Sequence, residues 1–452
     1  MDLSGKRVLV MGAGISGVAV AKIAKRLGAQ VALSDTKPEG KLGAVPGELA
    51  QAGIKLISGP QEPAILTGVQ LLIPSPGISI NHPLMRQAAA RDIEVISEVE
   101  FAFRVTAASF VAITGTNGKT TTTTLTGEIL KKAGKKVVVG GNIGIALSEA
   151  VYNLADDAIA VAEISSFQLE GVKHFRPHAC AILNLTPDHI DRHGTLQVYQ
   201  ETKERIFARQ TEADFLVLNY DDPVVRGMAQ RAPSWVIYFS ATQVLPEGAY
   251  VREGNIVLAL NGERETVCPV AEMGIRGAHN VQNALAACAL AKTCGVSTAV
   301  MADTLRNFQG VEHRLEYVAE IGGVKYFNDS KATNPESAIV ALQAFTEPVI
   351  LIAGGYDKGT DLHAFMMAIK AQVRELILLG QAADRFAAAA KEHEITVIHR
   401  AETFPEAVSL AEKLAKPGES VLLSPACASY DMFSNYEERG RIFKQLVLAL
   451  RR

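Results

Sequence analysis

The residues best suited to chemistry form the segment Thr114-Gly-Thr-Asn-Gly-Lys-Thr120, which ends the apolar run SFVAIT. Backbone N–H groups of a glycine-rich loop and a helix N-terminus together form a cradle for phosphate oxygens. Lys119 would then contact the β- and γ-phosphates of a nucleotide, and the Thr120 hydroxyl would coordinate Mg²⁺. Only Thr116 and Asn117 separate Gly115 from the Gly-Lys pair, where the common phosphate loop has four residues.

A run of threonines from Thr120 to Thr124 follows this loop. β-Branched residues are a poor choice for the start of an ordinary helix. Local rules of this kind are broken most often at functional sites. The run therefore favours a phosphate-binding loop over the alternative, a plain glycine turn before a helix.

Acidic and histidine side chains follow two apolar runs further along the chain. Glu163 ends AIAVAEI and is either the acidic Mg²⁺ ligand that faces a phosphate loop or a solvated strand-end carboxylate. The segment LNLTPDHIDRH brings together Asp188, His189, Asp191 and His193. Alone, this cluster fits a zinc site or a polar loop, but oxygen ligands and a nearby phosphate loop favour Mg²⁺ at His189.

Lys203 occupies an unusual position in VYQETKERIF. Helical spacing places Tyr199, Lys203, Ile206 and Phe207 on one face. A lysine on an apolar stripe is costly unless it is paired or modified. The alternative is that its ammonium group extends to solvent.

Short Val/Ile/Leu-rich runs alternate with Ala-rich amphipathic stretches, which is typical of parallel sheets covered by helices. We expect an α/β protein of three domains: a Rossmann-like domain at 1–104, a central phosphate-loop domain at 105–310, and a Rossmann-like domain at 311–452. The central domain should contain a mostly parallel sheet and a small β meander in GAYVREGNIVLALNGERETV.

The first domain contains MGAGISGV, whose glycines have the G-x-G-x-x-G spacing of dinucleotide-binding folds, and Asp35 follows after a second apolar run. An NAD-dependent oxidoreductase is therefore one alternative. It would have no need for the loop at Lys119. A mechanical or signalling phosphate-loop NTPase is another alternative, but it would not explain the first domain.

Composition narrows the class of protein further. The 452 residues are 48% hydrophobic and carry a net charge of −3, which indicates no nucleic-acid or membrane-binding surface. The apolar run at Val8 is too short for a signal peptide, and the five cysteines lack C-x-x-C spacing. We expect a cytoplasmic monomer that acts on small molecules.

Taken together, the motifs ITGTNGKTTTT, EISSFQLE, LNLTPDHIDRH, YQETKERIF, RGAHNVQNALAA, EHRLE, NDSKATNPES, GGYDKG and SPACASYDMF resemble those of the Mur ligase superfamily. That resemblance implies ATP-dependent amide formation in cell-wall synthesis, with ATP and two Mg²⁺ ions. The segments GAGISG and IPSPGIS and the chain length resemble the member that adds D-glutamate to UDP-N-acetylmuramoyl-L-alanine. A superfamily ligase with another amino acid or acceptor stays open.

The resemblance also implies roles for individual residues. The residues implied in ATP binding are Gly115, Thr116, Asn117, Gly118, Lys119, Thr120, Thr121, Asn280, Arg314, Asp329 and Lys331. Those implied in binding the UDP substrate are Ser16, Thr36, Lys37, Asn142, Ser165 and Ser166, and those for D-glutamate are Thr333, Lys358, Ser424 and Phe433. Lys37 could instead be a surface charge, and Phe433 a core residue.

The implied metal ligands are Thr120, Glu163, His189 and Lys203, the last as a carbamate formed with CO₂. The implied catalytic residues are Lys119, His189 and Lys203. The substrate carboxylate would attack the γ-phosphate to give an acyl phosphate, which the amine of D-glutamate would then attack. Either His189 or the carbamate could accept the amine proton, and the domains are expected to close around the substrates.

Overall fold

The structure, a computed structural model, describes residues 1–450 apart from the side chain of Asp191. The chain forms two compact units, one of residues 1–273 with 282–306, and one of residues 274–281 with the chain from Asn307 onward. The first unit contains two β-sheets and the second contains one. This arrangement confirms the predicted α/β class with three sheets, while the three domain boundaries stay predictions.

The first sheet is parallel, in the order β3-β2-β1-β4-β5. Its strands are β1 (Arg7–Met11), β2 (Gln30–Asp35), β3 (Lys55–Ser58), β4 (Leu71–Pro74) and β5 (Glu94–Val95). Its helices are α1 (Ile15–Arg26), α2 (Val45–Gln51), α3 (Pro83–Ala90) and α4 (Glu98–Arg104). Val8 and Val10 pack on one side with α1, whereas Leu9 and Met11 pack on the other with α3. Alternate residues are thus buried on both faces, as expected for a doubly wound sheet.

The central sheet has the order β14-β13-β12-β11-β10-β9-β6-β8-β7. Its strands are β6 (Ser109–Thr114), β7 (Val137–Gly141), β8 (Ile159–Glu163), β9 (Ala179–Ile182), β10 (Phe215–Asn219), β11 (Trp235–Ser240), β12 (Gly248–Arg252), β13 (Asn255–Leu260) and β14 (Glu263–Pro269). β7 to β12 join β6 in parallel pairings, and β12, β13 and β14 form the predicted antiparallel meander.

Eight helices accompany the central sheet along the chain. They are α5 (Lys119–Lys132), α6 (Leu147–Val151), α7 (Ser166–Leu169), α8 (Ile190–His193), α9 (Leu196–Glu204), α10 (Pro223–Gly227), α11 (Ala278–Thr293) and α12 (Thr298–Asn307). The short helices α7 and α8 directly follow strands or strand-end loops. The sheet thereby places several helix starts at the carboxyl ends of its central strands, where open α/β sheets bind ligands.

The third sheet has the order β15-β16-β20-β17-β18-β19. Its strands are β15 (Glu316–Ile321), β16 (Val324–Asn328), β17 (Val349–Gly354), β18 (Val373–Leu379), β19 (Ile398–Arg400) and β20 (Ser420–Leu423). Its helices are α13 (Pro335–Leu342), α14 (His363–Gln372), α15 (Ala383–Glu392), α16 (Phe404–Leu414) and α17 (Tyr436–Ala449). All pairings are parallel except that of the edge strand β15 with β16, so the sheet is mixed.

Four strands had no counterpart among the predicted apolar runs: β3, β5, β11 and β15. β3 and β15 consist mostly of exposed and half-buried residues, both residues of β5 are half-buried, and β11 begins with the exposed Trp235. Sheet edges and partly solvated strands lack the continuous apolar run that marks a buried parallel strand. Within residues 1–450, no helix combines the length and apolar character needed to cross a membrane.

Candidate active site

The segment between β6 and α5 is the predicted phosphate loop. β6 ends at Thr114, and α5 begins at Lys119 with Gly118 as its N-cap. Gly118 has φ +82°, and a Cβ there would overlap the side-chain oxygen of Asn283. Glycine is therefore required at this position, both for its left-handed backbone and for the close approach of α11.

The loop is fixed by the segment that follows the neighbouring strand β9. Asn184 accepts a hydrogen bond from the Asn117 N–H at 2.8 Å and donates to the Asn117 carbonyl at 3.1 Å. The Thr116 hydroxyl donates to the Thr186 carbonyl at 3.2 Å and accepts from its N–H at 3.1 Å. These reciprocal contacts hold the loop backbone in place without a ligand, which is the preorganisation that anion binding requires.

Lys119 and the threonines behind it line the start of α5. The Lys119 ammonium donates to the carbonyl oxygens of Gly115 and Thr116, at 2.9 and 2.7 Å. The side chains of Thr120 and Thr121 are buried, and Thr122 donates to Asn283 at 3.2 Å. The predicted threonine-rich helix start therefore packs against α11 instead of facing solvent.

Glu163 lies at the carboxyl end of β8, next to β6 in the sheet. It is 2% exposed, which rules out the alternative of a solvated strand-end carboxylate. Its Oε1 accepts a hydrogen bond from Asn142 at 2.8 Å, whereas its Oε2 is buried without a hydrogen-bond partner in the described structure. A buried carboxylate oxygen without a partner is costly, so the site fits a cation ligated at this oxygen.

Lys203 is buried as the helical pattern predicted, with 1% of its surface exposed. Its ammonium nitrogen donates to the Gly115 carbonyl at 2.9 Å and to the Thr114 hydroxyl at 3.4 Å, and it lies 4.5 Å from the Tyr199 ring centroid. The ammonium therefore does not extend to solvent. Burial lowers the pKa of Lys203 well below its ordinary value, the charge of Lys119 lowers it further, and Asp188 opposes the shift.

His189 and His193 lie in different surroundings. His189 is exposed, with φ +53°, and its ring lies 4.7 Å from that of Phe167. His193 is buried and shares a 3.0 Å hydrogen bond with the Ser166 hydroxyl, and burial lowers its pKa. Among the described side chains, which exclude that of Asp191, these histidines and Asp188 do not converge as a metal-binding group. Of these two histidines, His189 is therefore the one that a ligand at this edge can reach.

Ser165 and Asn142, both predicted to bind substrate, contact protein groups in this structure. The Ser165 hydroxyl caps α7 in a reciprocal arrangement with Gln168. The Asn142 amide contacts Glu163. Both residues lie at the carboxyl edge of the central sheet. Asn142 follows β7 and Ser165 follows β8, and β8 pairs with β6, the strand that leads into the phosphate loop.

The glycine turn of the first sheet is closed by Asp35. Its carboxylate accepts hydrogen bonds from the backbone N–H groups of Ala13 and Lys37, at 2.8 and 2.9 Å. Thr36 and Lys37 are exposed beside it, and Ser16 lies in the first turn of α1. Asp35, the acid that would hold the ribose of NAD, is therefore bonded to the turn itself.

In the second unit, Asp329 follows β16 and Ser424 follows β20. The fully buried Asp329 carboxylate accepts from Arg314 at 3.2 Å and from the Ser424 hydroxyl at 2.8 Å. Burial raises the pKa of Asp329, and the charge of Arg314 opposes that rise. The structure thus brings together three predicted site residues.

Other predicted residues lie at the same end of this sheet. Lys358, after β17, donates to the Thr333 carbonyl at 3.2 Å, and the Lys331 ammonium lies 5.5 Å from the ring centroid of Tyr436. Phe433 packs at 5.0 Å against Phe404 of the core and is half-buried. The strand order β16-β20-β17 explains why these loops are neighbours. Asn280, at the start of α11, donates to the Arg276 carbonyl at 2.7 Å.

Sequence reasoning missed Arg439 of α17, which is 1% exposed. Its guanidinium donates to the hydroxyl and carbonyl oxygens of Ser330 at 2.9 and 2.8 Å, and to the carbonyls of Cys427 and Ala428 at 3.1 and 3.3 Å. It therefore ties the loop after β16 to the loop after β20. An arginine in the helical segment YEERGRIF carries no signal of burial, because arginine is usually exposed.

Sequence reasoning also missed Asn184 and Asn283, which support the phosphate loop. Asn184 lies in LNLTPDHIDRH and Asn283 in RGAHNVQNALAA. The sequence does carry one signal for Asn283: it lies three residues after Asn280, which places both on one helical face.

A glycine loop between a central parallel strand and a helix, with a buried acid on the adjacent strand, defines a phosphate-loop type of α/β protein. Three family descriptions match the chain: Mur ligase MurD-like, N-terminal domain, over residues 6–97; Mur ligase middle domain, over 113–291; and Mur ligase, glutamate ligase domain, over 313–427. The chain belongs to the Mur ligase family.

Curated relatives align over the whole chain. The UDP-N-acetylmuramoylalanine--D-glutamate ligase of Thermoanaerobacter sp. (strain X514) is 48% identical over 454 residues, covering 100% of both chains. The protein of the same name from Pelotomaculum thermopropionicum is 48% identical over 455 residues, covering 100% of this chain and 99% of the relative.

Solved structures share the fold at lower identity. The UDP-N-acetylmuramate-alanine ligase MurC of Thermotoga maritima has a TM-score of 0.63 and 20% identity, covering 98% of this chain and 99% of that one. The MurF ligase of the same organism, solved in complex with ADP, has a TM-score of 0.60 and 17% identity, covering 93% and 95%.

Proposed function

We propose that this protein uses ATP to join D-glutamate to the alanyl carboxylate of UDP-N-acetylmuramoyl-L-alanine. The observation that carries the proposal is the buried Glu163, whose Oε2 has no hydrogen-bond partner among the described residues. It lies at the sheet edge that also holds the phosphate loop and Lys203. The substrates are inferred from relatives that bear this activity in their names and align along the full chain.

The phosphate loop is the proposed site for the ATP phosphates. The N–H groups of Gly115 and Gly118 are the ones proposed for the phosphates, because those of Thr116 and Asn117 are bonded to Asn184. Lys119 would exchange its contacts with two loop carbonyls for phosphate oxygens. Thr121 extends the site along α5. Asn280 is proposed for the adenine, and Arg314, Asp329 and Lys331 for further ATP contacts.

The donor set at the sheet edge fits Mg²⁺. Carboxylate, hydroxyl and phosphate oxygens are the ligands that this hard cation prefers. Thr120, Glu163 and His189 would hold the ions, and a carbamylated Lys203 would complete the set for a second ion. Bound Mg²⁺ would neutralise charge on the phosphates and the attacking carboxylate.

The surroundings of Lys203 favour carbamate formation. Its hydrogen bonds run to a carbonyl and a hydroxyl, neither of which carries charge, and burial lowers its pKa. A neutral amine is the nucleophile that CO₂ requires. The amine nitrogen would form a bond to the carbon of CO₂ and release one proton to solvent, and the product would be an anion beside Lys119.

The UDP substrate is assigned to the first sheet and the adjoining edge of the central sheet. Ser16, in the first turn of α1, and the exposed Thr36 and Lys37 would contact the UDP end. A diphosphate suits this place because the glycine turn lets a ligand approach the N-terminus of α1. Asn142, Ser165 and Ser166 are proposed for the sugar and alanyl part.

The D-glutamate site is assigned to loops of the third sheet. Lys358 would pair with a glutamate carboxylate, and its 3.2 Å contact with the Thr333 carbonyl places two proposed residues together. Ser424 and Phe433 are the other proposed members. Ser424 is fully buried and bonded to Asp329, so a ligand contact would require its hydroxyl to accept a bond while it donates that one.

The reaction follows from these assignments. The alanyl carboxylate attacks the γ-phosphate, ADP leaves, and an acyl phosphate remains. The neutral amine of D-glutamate attacks the acyl carbon, and the tetrahedral intermediate expels phosphate. Preorganised N–H groups of the loop and Lys119 stabilise the transferring phosphoryl group. His189 and the Lys203 carbamate are the two candidates for accepting the amine proton.

Phosphate release in the presence of different amino acids tests this function. The protein is incubated with ATP, Mg²⁺ and UDP-N-acetylmuramoyl-L-alanine, and D-glutamate, L-glutamate, L-alanine or a diamino acid is added in turn. Release that depends on both the sugar nucleotide and D-glutamate is expected. Release that is indifferent to both would reject the function, and a preference for another amino acid would reassign the substrate. We further propose that the protein is a cytoplasmic monomer. Size-exclusion chromatography tests the oligomeric state.

A further inference from the structure

Arg192 of the short helix α8 joins the first sheet to the catalytic edge of the central sheet. Its Nη2 donates to the carbonyl oxygen of Ile78 at 3.0 Å, and its Nη1 donates to that of Gly77 at 3.3 Å. Both carbonyls belong to the segment PSPGI that follows β4. The Arg192 side chain is 11% exposed; its bond to Ile78 is partly buried, whereas its bond to Gly77 lies at the surface.

The guanidinium is held in this orientation from the central-domain side. Glu170 accepts bonds from Nε and Nη2 at 2.9 and 2.6 Å, and the Phe167 ring centroid lies 4.1 Å from the guanidinium carbon. A bidentate carboxylate and an aromatic face fix a planar guanidinium in a way that a lysine cannot reproduce. Its orientation is therefore set before any ligand binds.

Each end of this contact leads to a proposed substrate site. On one side, the Ser75 hydroxyl donates to the carbonyl of Gly12 at 3.1 Å, which connects the PSPGI segment to the glycine turn. On the other side, the Phe167 ring that contacts Arg192 also contacts the His189 ring at 4.7 Å. Ser166, proposed for the sugar and alanyl part, directly precedes Phe167.

We propose that Arg192 is a positioning residue that sets the spacing between the glycine turn, which would receive the diphosphate, and the edge at His189, where the alanyl carboxylate would react. The inference rests on the proposed function. UDP alone would contact only the first sheet, whereas the complete sugar nucleotide must reach both places. Arg192 would then govern the binding and turnover of the complete substrate but not the binding of UDP.

The test compares Arg192→Ala and Arg192→Lys with the wild-type protein and with Arg205→Ala as a matched control. Arg205 is an exposed arginine that donates to the carbonyl oxygen of the same Glu170. Affinities for UDP and for UDP-N-acetylmuramoyl-L-alanine are measured by calorimetry, and kcat and KM are measured for each substrate.

For Arg192→Ala we expect the complete sugar nucleotide to bind about tenfold more weakly and kcat to fall on the order of tenfold to a hundredfold, because small displacements of reacting groups are costly. Affinity for UDP and KM for ATP should change less than about twofold. Arg192→Lys should restore part of the loss, since lysine keeps the positive charge but cannot donate the paired hydrogen bonds of a planar guanidinium. Arg205→Ala should match the wild type.

A second measurement does not depend on the substrate. Hydrogen exchange of the free protein should speed up in Arg192→Ala at residues 74–80, and not in Arg205→Ala, because Arg205 contacts Glu170 and not that segment. Unchanged exchange there, unchanged affinity for the complete substrate, or an equal loss for UDP would each overturn the inference. If the wild-type protein itself fails to bind the complete sugar nucleotide, the proposed function fails instead, and that result is separate from the exchange result.

Discussion

The ammonium nitrogen of Lys203 lies 2.9 Å from the carbonyl oxygen of Gly115, the first glycine of the phosphate loop. A buried lysine thus contacts the loop backbone directly, and the charge of Lys119 acts on it there. Because Lys119 and Lys203 contact the same loop, their positive charges repel each other, and the state in which both are charged is disfavoured. Conversion of Lys203 to a carbamate would replace that repulsion with an attraction.

Lys203→Ala is expected to lose activity on the order of a hundredfold or more, as removal of a transition-state electrostatic group does. Short carboxylates such as formate should restore part of the activity, because they can occupy the space of the missing carbamate. Wild-type protein in ¹³CO₂ should show a carbamate carbon resonance that Lys203→Ala lacks. Failure of rescue together with an absent resonance would reject the carbamate.

Glu163→Gln is expected to raise the Mg²⁺ concentration that gives the half-maximal rate by roughly tenfold or more. The metal-free variant should be at least as stable as the wild type, since a neutral buried amide costs less than a charged carboxylate oxygen without a partner. Metal titration and thermal unfolding in chelator measure the two effects. Lower stability with unchanged metal dependence would show that Glu163 is structural.

Arg439→Lys is expected to raise the KM values for both D-glutamate and ATP, on the order of tenfold. Arg439 ties the loop after β20 to Ser330, which lies between the proposed ATP residues Asp329 and Lys331. The lysine keeps the positive charge but cannot bond at once to Ser330, Cys427 and Ala428. Burial lowers the pKa of Arg439 to about 10, so the native side chain is charged at neutral pH. Steady-state kinetics for each substrate, at matched thermal stability, test this; unchanged KM values for both substrates would contradict it.

Asp329→Asn is expected to change how stability depends on pH. Burial raises the pKa of Asp329 above 3.8, so the folded protein binds this proton more tightly than the unfolded chain does. The stability that the group contributes is complete below about pH 3.8 and is lost as the pH rises through the raised pKa. The Tm of Asp329→Asn relative to the wild type should therefore increase, on the order of a few degrees, from pH 4 towards neutral.

Asp357→Asn is a control for which the pH dependence of stability should have the opposite sign. Hydrogen bonds from Arg385 lower the pKa of Asp357, so its contribution to stability is present above about pH 3.8 and is lost as the pH falls through the lowered pKa. The Tm of this variant should lie slightly below that of the wild type at neutral pH and approach it in acid. A Tm difference for Asp329→Asn that does not vary with pH would contradict the account.

The sequence predicted those parts of the fold that local patterns encode. The runs RVLVM and SFVAIT became β1 and β6 because parallel strands buried on both faces are continuously apolar. The half-exposed edge strand β15 has no such pattern, because one of its sides lacks a neighbouring strand. Helical spacing also predicted the burial of Lys203, since Tyr199 and Ile206 share its face.

The candidate site was predictable only in part. Lys119 follows the loop after β6, and Glu163 ends β8. Residues that follow apolar strands of a parallel sheet are expected at its carboxyl edge, so the sequence alone indicated where both lie. Asn184, Arg192 and Arg439 act through contacts with loops that are 67, 114 and 109 residues away in the chain. No spacing rule encodes contacts of that kind, so these residues required the structure.

Transfer of oxygen from the substrate carboxylate to phosphate tests the central claim most directly. UDP-N-acetylmuramoyl-L-alanine with ¹⁸O in its alanyl carboxylate is incubated with ATP, Mg²⁺, D-glutamate and the protein, and the products are analysed by mass spectrometry. We expect inorganic phosphate carrying one ¹⁸O for each D-glutamyl amide formed, because the acyl–oxygen bond breaks when phosphate leaves. Amide formation with unlabelled phosphate, or label in AMP, would contradict the account.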